Sequence, residues 1–207
     1  SLKLQKFLYM VKQPQLASGD FNLVADISNA QMGKLKGSIK ADILNGVANS
    51  KVITKEYGFK TLMPKTKFGL KLSSTLDKYM VISKLSLTST LANLGMKKIK
   101  YNLKDAKLSS DYLLKIADLN RLYFATERHL KGSLVVDGKV QKGKDLDFTA
   151  HSKVAGGVLN AKLHNDDFVA KLNKLKTLEI LDMLIYPKIM KADIDGDLVY
   201  NLKSKKG

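Results

Sequence analysis

The chain has 207 residues, of which 44% are hydrophobic and 27% are charged, and it carries 36 lysines and arginines against 19 aspartates and glutamates. This composition excludes a disordered tail, and the lack of cysteine excludes disulfides, thiolate metal sites and cysteine catalysis. Only Arg121 and Arg128 are arginines, so the net charge of +17 is almost entirely lysine. Proteins that hold phosphate groups usually use the planar guanidinium of arginine. We therefore expect a lysine-coated surface and no specific nucleic-acid binding.

The two ends of the sequence suggest a fragment. The chain begins at Ser1 without a methionine and stops at Gly207 directly after a strand-like run. No stretch reaches the roughly 18 to 20 apolar residues of a membrane helix, and no basic-then-apolar signal segment opens the chain. We expect the chain to be a piece of a longer protein.

Alternating apolar and polar residues predict β-strands in the first half of the chain. Residues 2–11 are apolar but fit a helix and a strand equally well. The strands that follow have one apolar face and one lysine-rich face, as in an antiparallel sheet with one wet side. Their apolar positions are Phe21, Leu23, Ala25 and Ile27; Leu35, Ile39, Ala41 and Ile43; Phe68, Leu70 and Leu72; and Ile99, Tyr101 and Leu103.

The second half predicts an antiparallel meander. Asp137-Gly138 looks like a two-residue hairpin turn, but the apolar parity continues through it. One strand over residues 130–141 would span about 40 Å at roughly 3.3 Å per residue. Turns at 142–144, 155–157 and 165–167 then separate the following strands.

One segment changes to a helical period. From Leu172 the apolar residues recur three to four positions apart and end near Pro187, which predicts a helix near 174–186 lying on the sheet. Strand parity resumes from Ile194 to Leu202. The fold class is thus mostly β with minor α: long antiparallel amphipathic strands in a curved sheet, a half-pipe or an open barrel, with one helix packed on it.

A possible internal repeat bears on the domain organisation. Residues 45–52 match residues 156–163 at glycine, valine, asparagine and lysine positions. Repetition of this kind is typical of stacked β units. We predict two units. The first β-sheet unit covers 1–110 and is the degenerate copy, and the second unit, with the helix, covers 111–207. One continuous elongated domain is the alternative.

Motifs for catalysis or metal binding are incomplete. Residues 138–145 nearly form a phosphate-binding loop, but Asp145 stands where serine or threonine is needed, and the context is strand-turn-strand. Residues 193–197 suggest a calcium loop, but Leu198 and Ser204 occupy positions that require glycine and glutamate. The three histidines show no metal-ligand spacing. We predict no enzyme activity, catalytic residue, metal site or cofactor.

Several glycine-and-leucine segments carry a family resemblance. They are LKGSL at 130–134, GKV at 138–140, GGVL at 156–159, LEILDMLIYP at 178–187 and GDLVYNL at 196–202. With them the chain resembles the C-terminal part of AsmA-like and TamB-type bacterial envelope proteins. The resemblance is best over 110–207, weaker over 15–55 and thin over 56–109.

The resemblance implies a location and a function. Proteins of this family are anchored in the inner membrane and extend through the periplasm as half-pipes of long β-strands with an apolar inner face. The chain would then be a non-enzymatic periplasmic segment that binds or guides lipid, in phospholipid transport and outer-membrane maintenance. Its partners would be a phospholipid or another acyl-chain ligand and neighbouring segments of the parent protein. The lysine surface adds attraction to anionic membranes.

The apolar-parity positions of the second half are the candidate lipid-binding residues. Gly132 and Gly138 lie among them, which would keep a groove open. The same alternation also suits a sandwich closed by the helix and the other half's sheet. A structural or protein-interaction β module of the envelope, without a ligand, is therefore the alternative. The candidates are Leu134, Val136, Val140, Phe148, Leu159, Leu163, Phe168, Leu198 and Tyr200.

Overall fold

The chain folds into one antiparallel sheet of twelve strands whose spatial order follows the sequence. The structure, a computed structural model, describes residues 2–204. The strands are β1 (Leu2–Lys3), β2 (Ala17–Asn29), β3 (Leu35–Ala48), β4 (Lys67–Lys78), β5 (Met80–Ser89), β6 (Asn93–Asn102), β7 (Lys107–Ile116), β8 (Leu134–Lys142), β9 (Leu146–Val154), β10 (Gly157–His164), β11 (Asp167–Lys176) and β12 (Asp193–Asn201). The helices are α1 (Leu4–Met10), α2 (Ser50–Glu56), α3 (Tyr123–Thr126, after a 3-10 turn at Leu119–Leu122) and α4 (Thr177–Met183). The predicted mostly β fold with antiparallel strands is confirmed.

One face of this sheet is apolar from the first strand to the eighth along a single row. Residues directly opposite each other on paired strands share a face, so the register traces rows of side chains across the sheet. The opposite face carries lysines with aspartates and small polar residues; Asp42, for example, pairs with Asn22 on one side and Lys71 on the other. The apolar row consists of Leu2, Phe21, Ile43, Leu70, Leu87, Leu94, Leu114 and Val136.

The apolar face is the concave side of an unclosed sheet. The buried side chains of the strands lie on it: Ala41, Leu76, Ser110, Tyr112, Ile116, Ser152, Ala170 and Leu175. Because no second sheet covers this face in residues 2–204, its side chains are buried largely by their neighbours on the same face, as expected where a sheet curves toward that face. In residues 2–204 the extensive strand–strand contacts all join sheet neighbours. The accessible surface of 13947 Å² exceeds the roughly 9,600 Å² of a compact monomer of this mass, as expected for one curved layer.

The helices lie at one end of the sheet, here called the helical end. Because neighbouring strands run in opposite directions, the connections 4–16, 49–66, 117–133 and 177–192 all leave from this end. They also contact each other there. Phe59 packs edge-on against Phe124 with ring centroids 5.0 Å apart, and the Lys131 amide donates to the Met183 carbonyl at 2.8 Å. The other end, here called the turn end, has the short connections 30–34, 79, 103–106, 143–145 and 165–166.

The predicted long strand is shorter than expected. It runs straight through Asp137-Gly138, as predicted, but begins at Leu134 instead of residue 130. Gly132 has a φ of 102°, a left-handed conformation that interrupts extended backbone. The nine residues of β8 therefore span about 30 Å and not the expected length of about 40 Å.

The predicted helix is also shorter, because β11 continues to Lys176. Lys174 has a φ of 51° and forms a β-bulge between Leu172 and Leu175. The bulge places these two leucines three positions apart on one strand, a spacing that imitates a helix. The helix itself contacts the connections around Lys131 and Gly156 at the helical end.

The sheet is continuous through the middle of the chain. β7 pairs with β8 from Leu108–Lys142 to Ile116–Leu134, and residue 110 lies inside β7. The division into two units at this point stays a prediction. The two aligned repeat segments differ in structure, because residues 45–52 include the end of β3 and the start of α2, whereas residues 156–163 form most of β10.

Candidate lipid-binding face

Five of the nine candidate residues form one row across the sheet. Val140 pairs with Phe148, Phe148 with Leu163, Leu163 with Phe168, and Phe168 with Tyr200. The row therefore crosses β8 to β12 near the turn end, with each side chain beside the next on the apolar face.

The other four candidates lie on the same face but in different rows. Val136 is opposite Leu114, and Leu134 is opposite Ile116. Leu159 pairs with Ser152 on one side and Leu172 on the other. Leu198 lies on the edge strand opposite Ala170 and is 54% exposed. The nine residues thus share a surface and do not form one compact cluster.

A row of small residues runs between the Val140–Tyr200 row and a second row that contains Ser152, Leu159 and Leu172. It consists of Gly138, Ala150, Ala161 and Ala170, each opposite the next. The flanking rows, through Val140 and through Val136, are four positions apart along β8, or about 13 Å at 3.3 Å per residue. The small row crosses four strands about 4.8 Å apart, so it is about 14 Å long. These residues form the floor of a furrow across the strands. Alternation in the sequence predicts that these residues lie on the apolar face, but only the register shows that they are opposite one another.

Tyr112 fills the place of the missing side chain at Gly138. Its ring stacks on Phe148 with centroids 5.1 Å apart and planes inclined by 13°. Its hydroxyl donates to the Thr149 carbonyl at 2.9 Å, and burial, helped by Asp137, raises the pKa of the phenol. Gly138 therefore does not open the groove as predicted, and Gly132 lies outside the strand. Tyr112 closes one end of the furrow.

The histidines lie in separate polar pairs. His151 Nδ1 is 3.1 Å from Asp137 Oδ1, and His164 Nδ1 is 2.9 Å from Asp147 Oδ1. The hydrogen bond to Asp147 raises the pKa of His164. Within residues 2–204 no group of three histidines and carboxylates is placed to hold a metal ion.

The two near-motifs serve structural roles. The segment 138–145 is strand β8 followed by its turn into β9, so no helix N-terminus faces a phosphate there. In the calcium-like segment, Asp195 accepts a hydrogen bond from the Lys174 amide at 2.9 Å, and Asp193 lies 3.7 Å from the Lys176 ammonium. These carboxylates stabilise the β11 bulge and its neighbouring pair.

Comparisons of the chain with protein-family models, curated proteins and solved structures find no match. The resemblance to AsmA-like proteins therefore stays a prediction. In the described residues, no helix has the length and apolar character needed to cross a membrane.

Proposed function

We propose that this chain binds lipid acyl chains along its apolar concave face. The observation that carries the proposal is the continuity of that face: one row of apolar side chains runs from β1 to β8, and further rows continue to β12. No second sheet covers this face in residues 2–204. Apolar surface left open to water is costly, and a lipid tail is a ligand that would cover it.

The furrow has dimensions that suit an acyl chain. The Val140–Tyr200 row on one side, and Leu159 and Leu172 on the other, flank the small residues at rows about 13 Å apart, which leaves space for one or two tails. Burying eight CH₂ groups would contribute about 6 kcal/mol at roughly 0.8 kcal/mol each, before the entropic cost of binding. The contact is non-directional, so this face favours a class of chains over one particular lipid.

The biological setting rests on the family resemblance. We propose a non-enzymatic periplasmic segment of an envelope protein anchored in the inner membrane, which guides phospholipid and maintains the outer membrane. Neighbouring segments of the parent protein would extend the face.

Paired substitutions on β8 test the binding proposal. Val136 is half-buried on the apolar face, whereas the adjacent Val135 is exposed on the polar face opposite Lys115. Val136→Asp should abolish co-purified lipid in native mass spectrometry and lower binding of a fluorescent fatty acid at least tenfold, because a carboxylate would lie in the acyl-chain path. Val135→Asp should leave both unchanged.

Thermal unfolding of the same variants gives the contradicting outcome. If the face binds lipid, Val136→Asp folds and loses only the ligand. If Val136→Asp unfolds while Val135→Asp does not, the face is a closed core. If wild-type protein retains no lipid and binds no probe, the proposal is wrong. Phe148→Asp provides a second position in the Val140–Tyr200 row.

The sheet edges favour a second candidate function, a protein-interaction module. Within residues 2–204, β1 pairs with β2 only at Phe21 and Asp20, so residues 22–29 of β2 have one neighbouring strand there. β12 likewise pairs only with β11 in the described residues. Both edges expose apolar side chains, among them Val24 and Val199. A partner strand could add to such an edge through backbone hydrogen bonds.

A further inference from the structure

The helical end exposes large apolar side chains on three separate connections. Tyr9 and Met10 end α1, Tyr57 and Leu62 follow α2, and the segment 184–191 follows α4. The antiparallel topology brings all three connections to the same end of the sheet. Exposed apolar residues scattered singly are ordinary on soluble proteins. Here they recur along one end of the sheet, from beside β2 to beside β11, which indicates an end that contacts something apolar.

The segment 184–191, here called the basic loop, contains the most exposed of these apolar side chains. Its sequence LIYPKIMK contains no acidic residue. Ile189 is 87% exposed, and Ile185, Tyr186 and Met190 are exposed as well. This single loop therefore combines large apolar side chains with two lysines, Lys188 and Lys191.

The basic loop has a defined conformation. At its start the Tyr186 amide donates to the Leu181 carbonyl at 2.8 Å. In the middle the Lys188 ammonium lies 3.1 Å from an Asp182 carboxylate oxygen. At its end the Thr177 hydroxyl donates to the Met190 or the Ala192 carbonyl, at 3.1 Å and 2.9 Å. The apolar side chains are thus held outward by contacts that leave their own surfaces free.

The charges around the basic loop are complementary to an anionic surface. Lys191 ends the loop, and Arg128 lines a shallow groove together with Ile185 and Tyr186. Lysine and arginine can keep their charged heads among phosphates while their stems lie along apolar groups. Apolar side chains with tyrosine and lysine are the combination that binds the interface of an anionic bilayer.

We propose that the helical end docks on an anionic lipid bilayer, with the basic loop inserted among the headgroups. A protein partner would find the same apolar groups, but the net charge of +17 favours an anionic surface as the occupant. This docking goes beyond acyl-chain binding by the concave face and does not depend on it. It would place one end of that face at a membrane.

The composition allows a site-specific test, because the chain contains no tryptophan. Ile189→Trp places a single fluorophore in the basic loop, and Met32→Trp places one at an exposed position of the turn end, where Met32 is 68% exposed. With vesicles of phosphatidylcholine containing about one third phosphatidylglycerol, the emission of Ile189→Trp should shift to shorter wavelength. Met32→Trp should not shift with either kind of vesicle, and pure phosphatidylcholine vesicles should shift the emission of Ile189→Trp less.

Flotation with the same vesicles tests the contribution to affinity. Ile189→Glu should weaken binding about tenfold or more, because the insertion of the isoleucine side chain into the bilayer is lost and a negative charge is added. Met32→Glu carries the same charge at the turn end and should bind like wild type. Both positions are exposed, so neither variant should unfold.

Three results would overturn docking by the helical end. A shift of Met32→Trp alone would assign docking to the turn end. Equal binding of Ile189→Glu and wild type would show that lysines act without insertion. No vesicle binding at low salt would indicate a protein as the occupant of this surface. Binding of a fluorescent fatty acid by Ile189→Glu, measured separately, tests acyl-chain binding by the concave face independently of docking by the helical end.

Discussion

At the scale of single residues, Gly138 is the glycine of the sheet with the least space for an added side chain. A Cβ added there would overlap the Thr149 carbonyl oxygen and approach the Tyr112 hydroxyl at 2.7 Å. The backbone of β9 would have to move, and Tyr112 would lose its hydrogen bond. Gly138→Ala should therefore lower the free energy of unfolding by about 2 to 3 kcal/mol, measured by urea denaturation.

Gly95 provides the matched control for this substitution. It also lies inside a strand, but an added Cβ meets no atom within 4 Å. Gly95→Ala should be neutral or stabilise the chain by about 0.5 kcal/mol, because alanine loses less conformational entropy on folding. Equal effects of the two substitutions would mean that Tyr112 does not depend on the space above Gly138.

The contact between Tyr112 and Gly138 also shows what sequence reasoning can reach at this scale. Parity alone places Gly138 and Phe148 on the apolar face, and both lie there. The ring that covers the glycine comes from β7, a strand that the sequence analysis did not identify. The contact depends on the register between β7 and β8. Alternation assigns a residue to a face, but it does not select its neighbour across the strand.

At the scale of elements, Thr177 joins α4, the basic loop and β12. It is 5% exposed. Its hydroxyl accepts a hydrogen bond from the Ala192 amide at 2.7 Å and donates to a carbonyl of the same segment. Thr177→Val keeps the shape and removes both bonds, leaving the Ala192 amide without that acceptor. We expect a loss of about 1 to 3 kcal/mol in unfolding free energy and faster hydrogen exchange in residues 184–192.

Thr88→Val is the control for this change. Thr88 is exposed on β5, and its hydroxyl makes only a 3.5 Å contact with the Gly69 carbonyl. Valine suits an exposed strand position as well as threonine does, so the stability should change little. If Thr177→Val behaved like Thr88→Val, the basic loop would be held by its other contacts.

The elements differ in how far the sequence specifies them. β5 and β7 have the same alternation of apolar and polar residues as the predicted strands, so this pattern predicts them as strands too. The bulge at Lys174 does not appear as a break in hydrophobicity, and the three-residue step that it creates from Leu172 to Leu175 predicts a helix where the structure has a strand. α1, α2 and α4 have seven residues each, too few turns for a helical period to stand out from strand parity. Short helices of this kind depend on packing at the sheet end.

At the scale of the whole molecule, the decisive property is that the sheet has one layer. Sequence alternation is the same for one curved layer and for a sandwich, because both require an apolar face on every strand. The difference lies in whether residues 2–110 fold back over the remainder or continue beside them. β7 and β8 pair side by side, so the two halves extend one surface. The alternation of apolar and polar residues within single strands does not indicate whether the halves form one layer or two.

In the part of the chain that the structure describes, the single layer also leaves each edge strand with one neighbour, and hydrogen exchange can measure this. In an antiparallel edge strand, alternate amides point away from the only neighbour and remain open to water. Residues 193–201 should therefore exchange faster than residues 167–176, which have strands on both sides. Residues 22–29 should likewise exchange faster than β3, and dilution should change neither difference. Protection of β12 that rises with protein concentration would contradict an open edge and show that copies of the chain pair there.

Asp193, Asp195 and Asp197 lie at alternate positions of this edge, so repulsion between them should oppose pairing of two β12 strands. A strand with lysines opposite these aspartates would meet no such barrier, and its addition should slow exchange in residues 193–201 while leaving residues 22–29 unchanged.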